Sequence, residues 1–230
     1  MRFHFGQMVR RALLVNFCLV ALMGVAMAAG PEKTIRIVAF GDSLMAGFGL
    51  KPGEGFPEQL ARLLKAKGHS FEMSNAGVSG DTTVAGLSRI DWAVPDGTDA
   101  VILELGANDA LQGRPPADTR RNLDAILTQL KGRGIAVLVA GMRAPRNLGP
   151  EYTAAFDSIF PELAAKHGAS LYPFFLEGVA LDPKLNLADG IHPTAAGISI
   201  IAERMLPQVE ELIARVRAAA PANGQNRPRG

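Results

Sequence analysis

One cysteine, Cys18, occurs in 230 residues, so no disulfide framework and no cysteine metal site organises this chain. Aromatic residues amount to 6%, with one tryptophan and two tyrosines, too few to line a cleft with sugar-stacking rings. There is no internal repeat. No basic stripe is visible either, and the formal net charge of +2 owes its sign to three arginines, Arg2, Arg10 and Arg11, near the start. Without them 21 basic residues face 22 acidic ones, a net charge near −1, so a nucleic-acid partner has no electrostatic support. What the chain has is apolar material: 48% hydrophobic against 20% charged, enough for a sizeable core in one domain.

Residues 1–28 differ from the rest. A positive start, an apolar run from Ala12 to Met27 and the small-x-small pattern Ala26-Met27-Ala28 predict a secretory signal cleaved after Ala28. The run is too short for a retained span and contains Asn16. Arg10-Arg11 lacks the further twin-arginine pattern, which favours the general secretory route. Cys18 would leave with the signal, and it lacks the small residues that precede a lipidated cysteine. A periplasmic or secreted protein, without stable membrane insertion after cleavage, is the expectation. The Pro-, Gly- and Asn-rich end is expected to be a disordered tail, giving a folded domain over 29–218 and a tail over 219–230.

Strand and helix patterns alternate along that domain. Strands are predicted as the seven-residue run from Thr34 that breaks at Gly41, and at Ser70–Ser74, Ala100–Leu105 (nearly all aliphatic), Ile135–Ala140 and Ser170–Tyr172. Helices are predicted at Phe56–Lys67, from Thr82 or Thr83 as cap to about Ile90, at Ala117–Lys131, through Phe156, Ile159 and Leu163 to His167, and after a Thr194 cap to about Ala218. Such alternation implies a parallel sheet covered on both faces, with ligands bound outside the carboxyl ends of the strands. The loops Gly41-Asp42-Ser43, Gly77–Asp81, Gly106–Asp109 and Asp189–His192 all follow strands and should converge there.

Their side chains suit acyl transfer. A serine hydroxyl becomes a nucleophile only when a neighbouring base takes its proton, and histidine titrates in the useful range. Past the leader the histidines are His69, His167 and His192. The first two lie at helix carboxyl ends beside glycines, a structural placement. His192 stands three residues after Asp189, close enough for the carboxylate to fold back and orient the ring. An oxyanion needs donors, for which the Gly80 N–H and the Asn108 side-chain amide are suited. Ser79, in Gly-Val-Ser-Gly, misses the nucleophile-elbow pattern by one residue and is the weaker nucleophile.

Gly41-Asp42-Ser43-Leu44, Gly80 within Asn75–Thr83, Gly106-Ala107-Asn108-Asp109 and Asp189-Gly190-Ile191-His192-Pro193 resemble, in order and spacing, the four blocks of the SGNH (GDSL) hydrolases. The likeness runs from about Ile35 to Leu212, within the branch of bacterial arylesterases, thioesterase I and lysophospholipase L1. It implies a flavodoxin-like α/β/α sandwich with a five-stranded parallel sheet and no cofactor or metal. It also implies Ser43 as nucleophile, His192 as base, Asp189 as orienting acid, and the Ser43 N–H, Gly80 and Asn108 as oxyanion donors. Asp42 and Asp109 match motif positions and are expected to hold loops. Leu111, Gly113 and Pro145 are expected at the substrate, with Leu111–Pro116 matching in position a loop that moves over the acyl chain.

Met45, Phe48, Leu50, Phe174 and Phe175 are candidates for either acyl-pocket wall or core, and Trp92 for a packing residue. The expected activity is hydrolysis of aryl, acyl or lysophospholipid esters, with thioesters possible chemically but acyl-CoA rarely met outside the cytosol. The expected partner is thus a small ester or lysophospholipid, and the expected state a monomer. A carbohydrate deacetylase, a catalytically silent binding module and a flavodoxin-like nucleotide binder are the alternatives. The first would want more aromatics, the second has lost none of the expected groups, and the third would not need Asp189 and His192.

Overall fold

The computed structural model describes residues 33–219, so the predicted signal segment and nearly all of the predicted tail lie outside the described residues. Five parallel strands form one sheet in the order β2-β1-β3-β4-β5: β1 (Ile35–Gly41), β2 (Phe71–Gly77), β3 (Ala100–Glu104), β4 (Ala136–Ala140) and β5 (Ser170–Tyr172). This is the doubly wound flavodoxin-like order, in which the direction of winding reverses between β1 and β3. Ser43 follows β1 and Asn108 follows β3, so the reversal puts both beside one crevice.

Helices cover both faces. On one, α2 (Phe56–Ala66) packs against α8 (Ala195–Ala219). On the other, α3 (Thr83–Ala93), α5 (Pro116–Gly132) and α7 (Ile159–His167) pack in series. Phe40, Phe56, Phe156, Phe160 and Phe175 are among the largest wholly buried side chains, and β3 is buried throughout, as a central parallel strand must be. Met45 and Phe175 are therefore core. Among the described residues no helix is long and apolar enough to cross a membrane.

Several predicted elements change. The second strand runs on to Gly77, because β1 pairs with it in register as far as Gly41 opposite Gly77, and backbone pairing overrides the polar side chains of Ser74 and Asn75. The fourth strand begins at Ala136, one residue late, and the third ends at Glu104. Asn108 and Asp109 lie on a short helix, α4 (Ala107–Leu111), and not in an irregular loop. The helix expected to reach His167 is two, α6 (Pro150–Asp157) and α7, since Pro161 has no N–H to offer the Asp157 carbonyl. Trp92 is 71% exposed and packs into nothing substantial, contrary to expectation.

The cap residues behave unequally. Thr194 Oγ1 accepts from the Gly197 N–H at 3.2 Å and so caps α8. Neither threonine side chain caps α3; the Asp109 carboxylate does, accepting from the Thr83 N–H at 2.8 Å. His69 and His167 take structural partners, Glu210 at 2.9 Å and Asp124 at 2.6 Å.

Candidate active site

Strand β1, which leads to Ser43, ends where only glycine fits. A Cβ on Gly41 would stand 2.5 Å from both the Glu104 carbonyl oxygen and Met45 Cγ, so β1 and β3 can approach and turn the chain sharply into α1 (Ser43–Ala46). A Cβ on Gly77 would lie 2.2 Å from the Ala46 backbone nitrogen, so the end of β2 seats directly against α1. Asp42 Oδ1 accepts from the Leu44 N–H at 3.0 Å and fixes the first turn. Ser43 is thereby held with its N–H at the start of a helix, making no hydrogen bond to the described residues.

The structure brings Ser43, His192 and Asp189 into one chain of hydrogen bonds. Asp189 Oδ1 accepts from the N–H groups of Ile191 and His192, each at 3.0 Å, and Oδ2 lies 2.7 Å from His192 Nδ1. Those two backbone donors and the imidazole hold the Asp189 pKa down at about 2, so it is an ionised, acceptor-only carboxylate at neutral pH. Nδ1 must then carry the proton, which leaves the Nε2 lone pair for the Ser43 hydroxyl 2.9 Å away. Phe48, 4.5 Å from the imidazole centroid to centroid and tilted by 36°, covers one face of the ring.

Asn108 joins the same crevice from β3. Its Nδ2 donates to Asp42 Oδ2 at 3.1 Å and to the Asp81 carbonyl at 2.9 Å, so both amide hydrogens are engaged in this state. Gly80, at φ +86° and exposed, sits in the turn from Val78 to the buried Asp81, with no hydrogen bond from its N–H to the described residues. It is linked to Asn108 through the next residue's carbonyl. Ser79 is exposed and makes no hydrogen bond to the described residues.

A cavity of about 600 Å³ opens from Ser43, Asn108 and His192. Its walls include Leu111, Met142, Ala144, Pro145, Phe174 and Leu176, with Arg143 and Arg146 at one side. Leu111 and Pro145, the expected substrate contacts, are thus on the cavity wall. Gly113 does not line the cavity; it stands in the turn between α4 and α5. Leu50 packs on the core. The 142–150 loop is fixed by Asp157, whose carboxylate accepts from the Ala144 N–H at 2.8 Å and pairs with Arg146 at 2.8 Å. Among the described residues no cluster of three or more His, Cys, Asp and Glu side chains could hold a metal ion.

Two supporting groups escaped sequence reasoning. Arg89, 6% exposed on α3, donates from Nε to Asp81 Oδ2 at 2.5 Å and from a terminal nitrogen to the Gly41 carbonyl at 2.8 Å, with its guanidinium 4.1 Å from the Phe40 ring centre. It clamps the end of β1 to Asp81. Glu104, wholly buried at the end of β3, accepts from the Asp42 N–H at 3.3 Å through Oε2, while Oε1 has no partner. Burial raises the Glu104 pKa well above the usual carboxylate range, and the adjacent Asp42 charge adds to that. Burial likewise lifts Asp42 to about 6, against the opposing pull of the Leu44 N–H and Glu104. The signal was one glutamate in an aliphatic strand. Asp109, by contrast, holds loops as expected: it accepts from the Thr83 N–H and hydroxyl and, at 3.3 Å, from Thr119 Oγ1.

A strand-end serine relayed to histidine and aspartate beside an apolar cavity on this fold defines a lipase-like α/β hydrolytic class, and comparison with known proteins agrees. Residues 39–200 match the GDSL-like lipase/acylhydrolase family, and the chain belongs to it. It is 36% identical over 204 residues to esterase TesA of Pseudomonas aeruginosa, covering 88% of this chain and 100% of that one. The thioesterase 1/protease 1/lysophospholipase L1 of Escherichia coli K12 is 35% identical over 178 residues, 77% of this chain and 84% of that protein. Among solved structures, the SGNH-hydrolase family esterase AlinE4 superposes with a TM-score of 0.67 at 46% identity, covering 84% of this chain and 100% of that one.

Proposed function

We propose that this protein is an exported serine ester hydrolase that cleaves carboxylic esters of apolar acyl groups through an acyl-enzyme. The observation that carries this reading is the unbroken relay from Ser43 Oγ through His192 to Asp189, opening on a largely apolar cavity. Ser43 Oγ attacks the ester carbonyl carbon while its proton passes to His192 Nε2, and Asp189 steadies the imidazolium. The carbonyl oxygen becomes an oxyanion, met by the N–H groups of Ser43 and Gly80 and by Asn108. The Asn108 hydrogen directed at Asp42 makes the longer of its two bonds and is the one to be shared with the oxyanion. Collapse expels the alcohol, which takes the proton from His192. Water then attacks the acyl-serine with His192 as base and releases the acid and free Ser43.

The cavity suits an acyl chain better than a sugar, because Phe174 is the one aromatic ring on its wall besides His192. Aryl esters, lysophospholipids and acyl thioesters share that acyl end, and the relatives named for esterase, thioesterase and lysophospholipase activity support all three. Export rests on the leader-like residues 1–28. The test is a panel of p-nitrophenyl esters, lysophosphatidylcholine and an acetylated sugar, with Ser43→Ala beside wild type. Turnover of the acyl esters should fall by roughly 10⁴-fold or more in the variant. Full activity in Ser43→Ala, or preference for the acetylated sugar, would overturn the proposal.

A further inference from the structure

The exposed apolar side chains of this protein are not scattered. Among the described residues seven large hydrophobics are exposed, and six of them, Phe48, Val78, Val84, Leu111, Leu181 and Ile191, belong to segments that follow the carboxyl ends of strands, the end at which the cleft opens, and Leu111, Leu181 and Ile191 line the cleft itself. Trp92, the seventh, lies at the far end of α3. Isolated exposed hydrophobics are ordinary, but a concentration of them at the end of the sheet where the cleft opens marks an interaction surface. Leu181 is the extreme case: it is 92% exposed, and it is the one non-glycine among the described residues with a left-handed backbone, at φ +67°. A large side chain held out into water from a conformation that resists it is better accounted for by function than by folding.

The charges at this rim repeat a pattern. Lys51, Arg114 and Lys184 each follow an exposed apolar residue by three positions, after Phe48, Leu111 and Leu181. All three are exposed, and none has a carboxylate of the described residues within ion-pair distance. The nearby acids are otherwise engaged: Glu54 and Asp182 accept from the N–H groups of Lys51 and Lys184, at 3.1 and 2.8 Å. Apolar wedges alternating with unpaired cations are what a phosphate-bearing lipid surface recognises, the wedges entering the acyl boundary and the cations meeting the phosphates.

We propose that this rim docks the enzyme, cleft downward, on the surface of a phosphate-bearing lipid aggregate, so that an acyl chain passes from the aggregate into the cavity without crossing water. The inference rests on the ester-hydrolase reading for its purpose but not for its test. Removing one leucine from such a contact costs on the order of tenfold in surface affinity or more.

The experiment measures flotation of the Ser43→Ala protein with vesicles of phosphatidylcholine and phosphatidylglycerol, seven to three, in that background alone and with Leu181→Gly, Val84→Ser or the triple change Lys51→Gln, Arg114→Gln, Lys184→Gln. Glycine at 181 relieves the backbone, so thermal stability should hold or rise. Docking predicts a roughly tenfold loss of vesicle affinity for Leu181→Gly, a smaller loss for Val84→Ser, and a loss for the triple variant that added salt imposes on the parent. With Ser43 restored, the rate ratio between lysophosphatidylcholine above and below its critical micelle concentration should fall in parallel. Equal affinity of all four proteins for vesicles, or self-association in solution abolished by Leu181→Gly in place of vesicle binding, overturns the proposal. Hydrolysis of p-nitrophenyl acetate by the Ser43-bearing protein separately tests the esterase reading.

Discussion

Replacing Arg89 by methionine should cripple the site from 6% exposure without touching a reacting atom. The guanidinium holds Asp81 at 2.5 Å and the Gly41 carbonyl at 2.8 Å, and methionine fills much of its volume while leaving the Asp81 carboxylate unpaired. Breaking a buried ion pair from one side costs about 3–5 kcal/mol, most of it the penalty of the stranded charge. For a domain of this size that is a fall in melting temperature of roughly 6–20 °C. Because the Asp81 carbonyl positions the Asn108 amide, kcat should also drop, with a ceiling near the about 3 kcal/mol of a lost oxyanion donor, or roughly a hundredfold, while KM changes little. Asp81→Asn together with Arg89→Met removes the stranded charge and should recover all but about 1–2 kcal/mol. Calorimetry and short-ester kinetics on the three variants provide the check. A single variant within about 1 kcal/mol of wild type, or a double variant no more stable than the single, would refute the reasoning.

Other consequences follow from the same interior. Asp42 has a folded pKa of about 6 against an ordinary 3.8, so the folded state binds the extra proton between those values and stability falls as pH rises through that window, by at most about 3 kcal/mol. Glu104, whose pKa burial also raises, adds to the same fall, so Glu104→Gln, which cannot ionise, should flatten it; urea midpoints measured from pH 4 to 8 would show it, and parallel curves for the two proteins would count against it. Asp189 works oppositely and lower: its contribution, present above about pH 4, is lost as pH falls toward about 2. Gly77→Ala drives a methyl into the backbone of α1 and should cost about 3 kcal/mol along with most activity, whereas unchanged melting and turnover would show that α1 can give way.

The sequence carried the fold because β1, β3 and β4 are aliphatic runs closed by turns, and the doubly wound order needs little more than their alternation with helices. Much of the candidate site was visible for a related reason: Asp42-Ser43, Asn108-Asp109 and Asp189–His192 are polar residues just after strands, where such folds bind ligands. What escaped depended on tertiary partners. Glu104 sits in a strand that reads as aliphatic, and its burial matters only because Gly41 brings Asp42 against it. Arg89 looks like a solvated helix residue until Asp81 and Gly41 close on it. The extension of β2 to Gly77 is decided by pairing with β1, and the Asp109 cap on α3 comes from another segment, beyond the reach of a local cap rule.

The claim on which everything else depends is that Ser43 carries the acyl group. Rapid acid quench of the enzyme turning over a p-nitrophenyl ester, followed by mass mapping of the peptides, asks this directly. The account predicts one acyl adduct per chain, on the peptide containing Ser43, absent from Ser43→Ala and accumulating in His192→Ala only to a trace. An adduct on Ser79 or elsewhere, or full turnover with no adduct at any quench time, would contradict it.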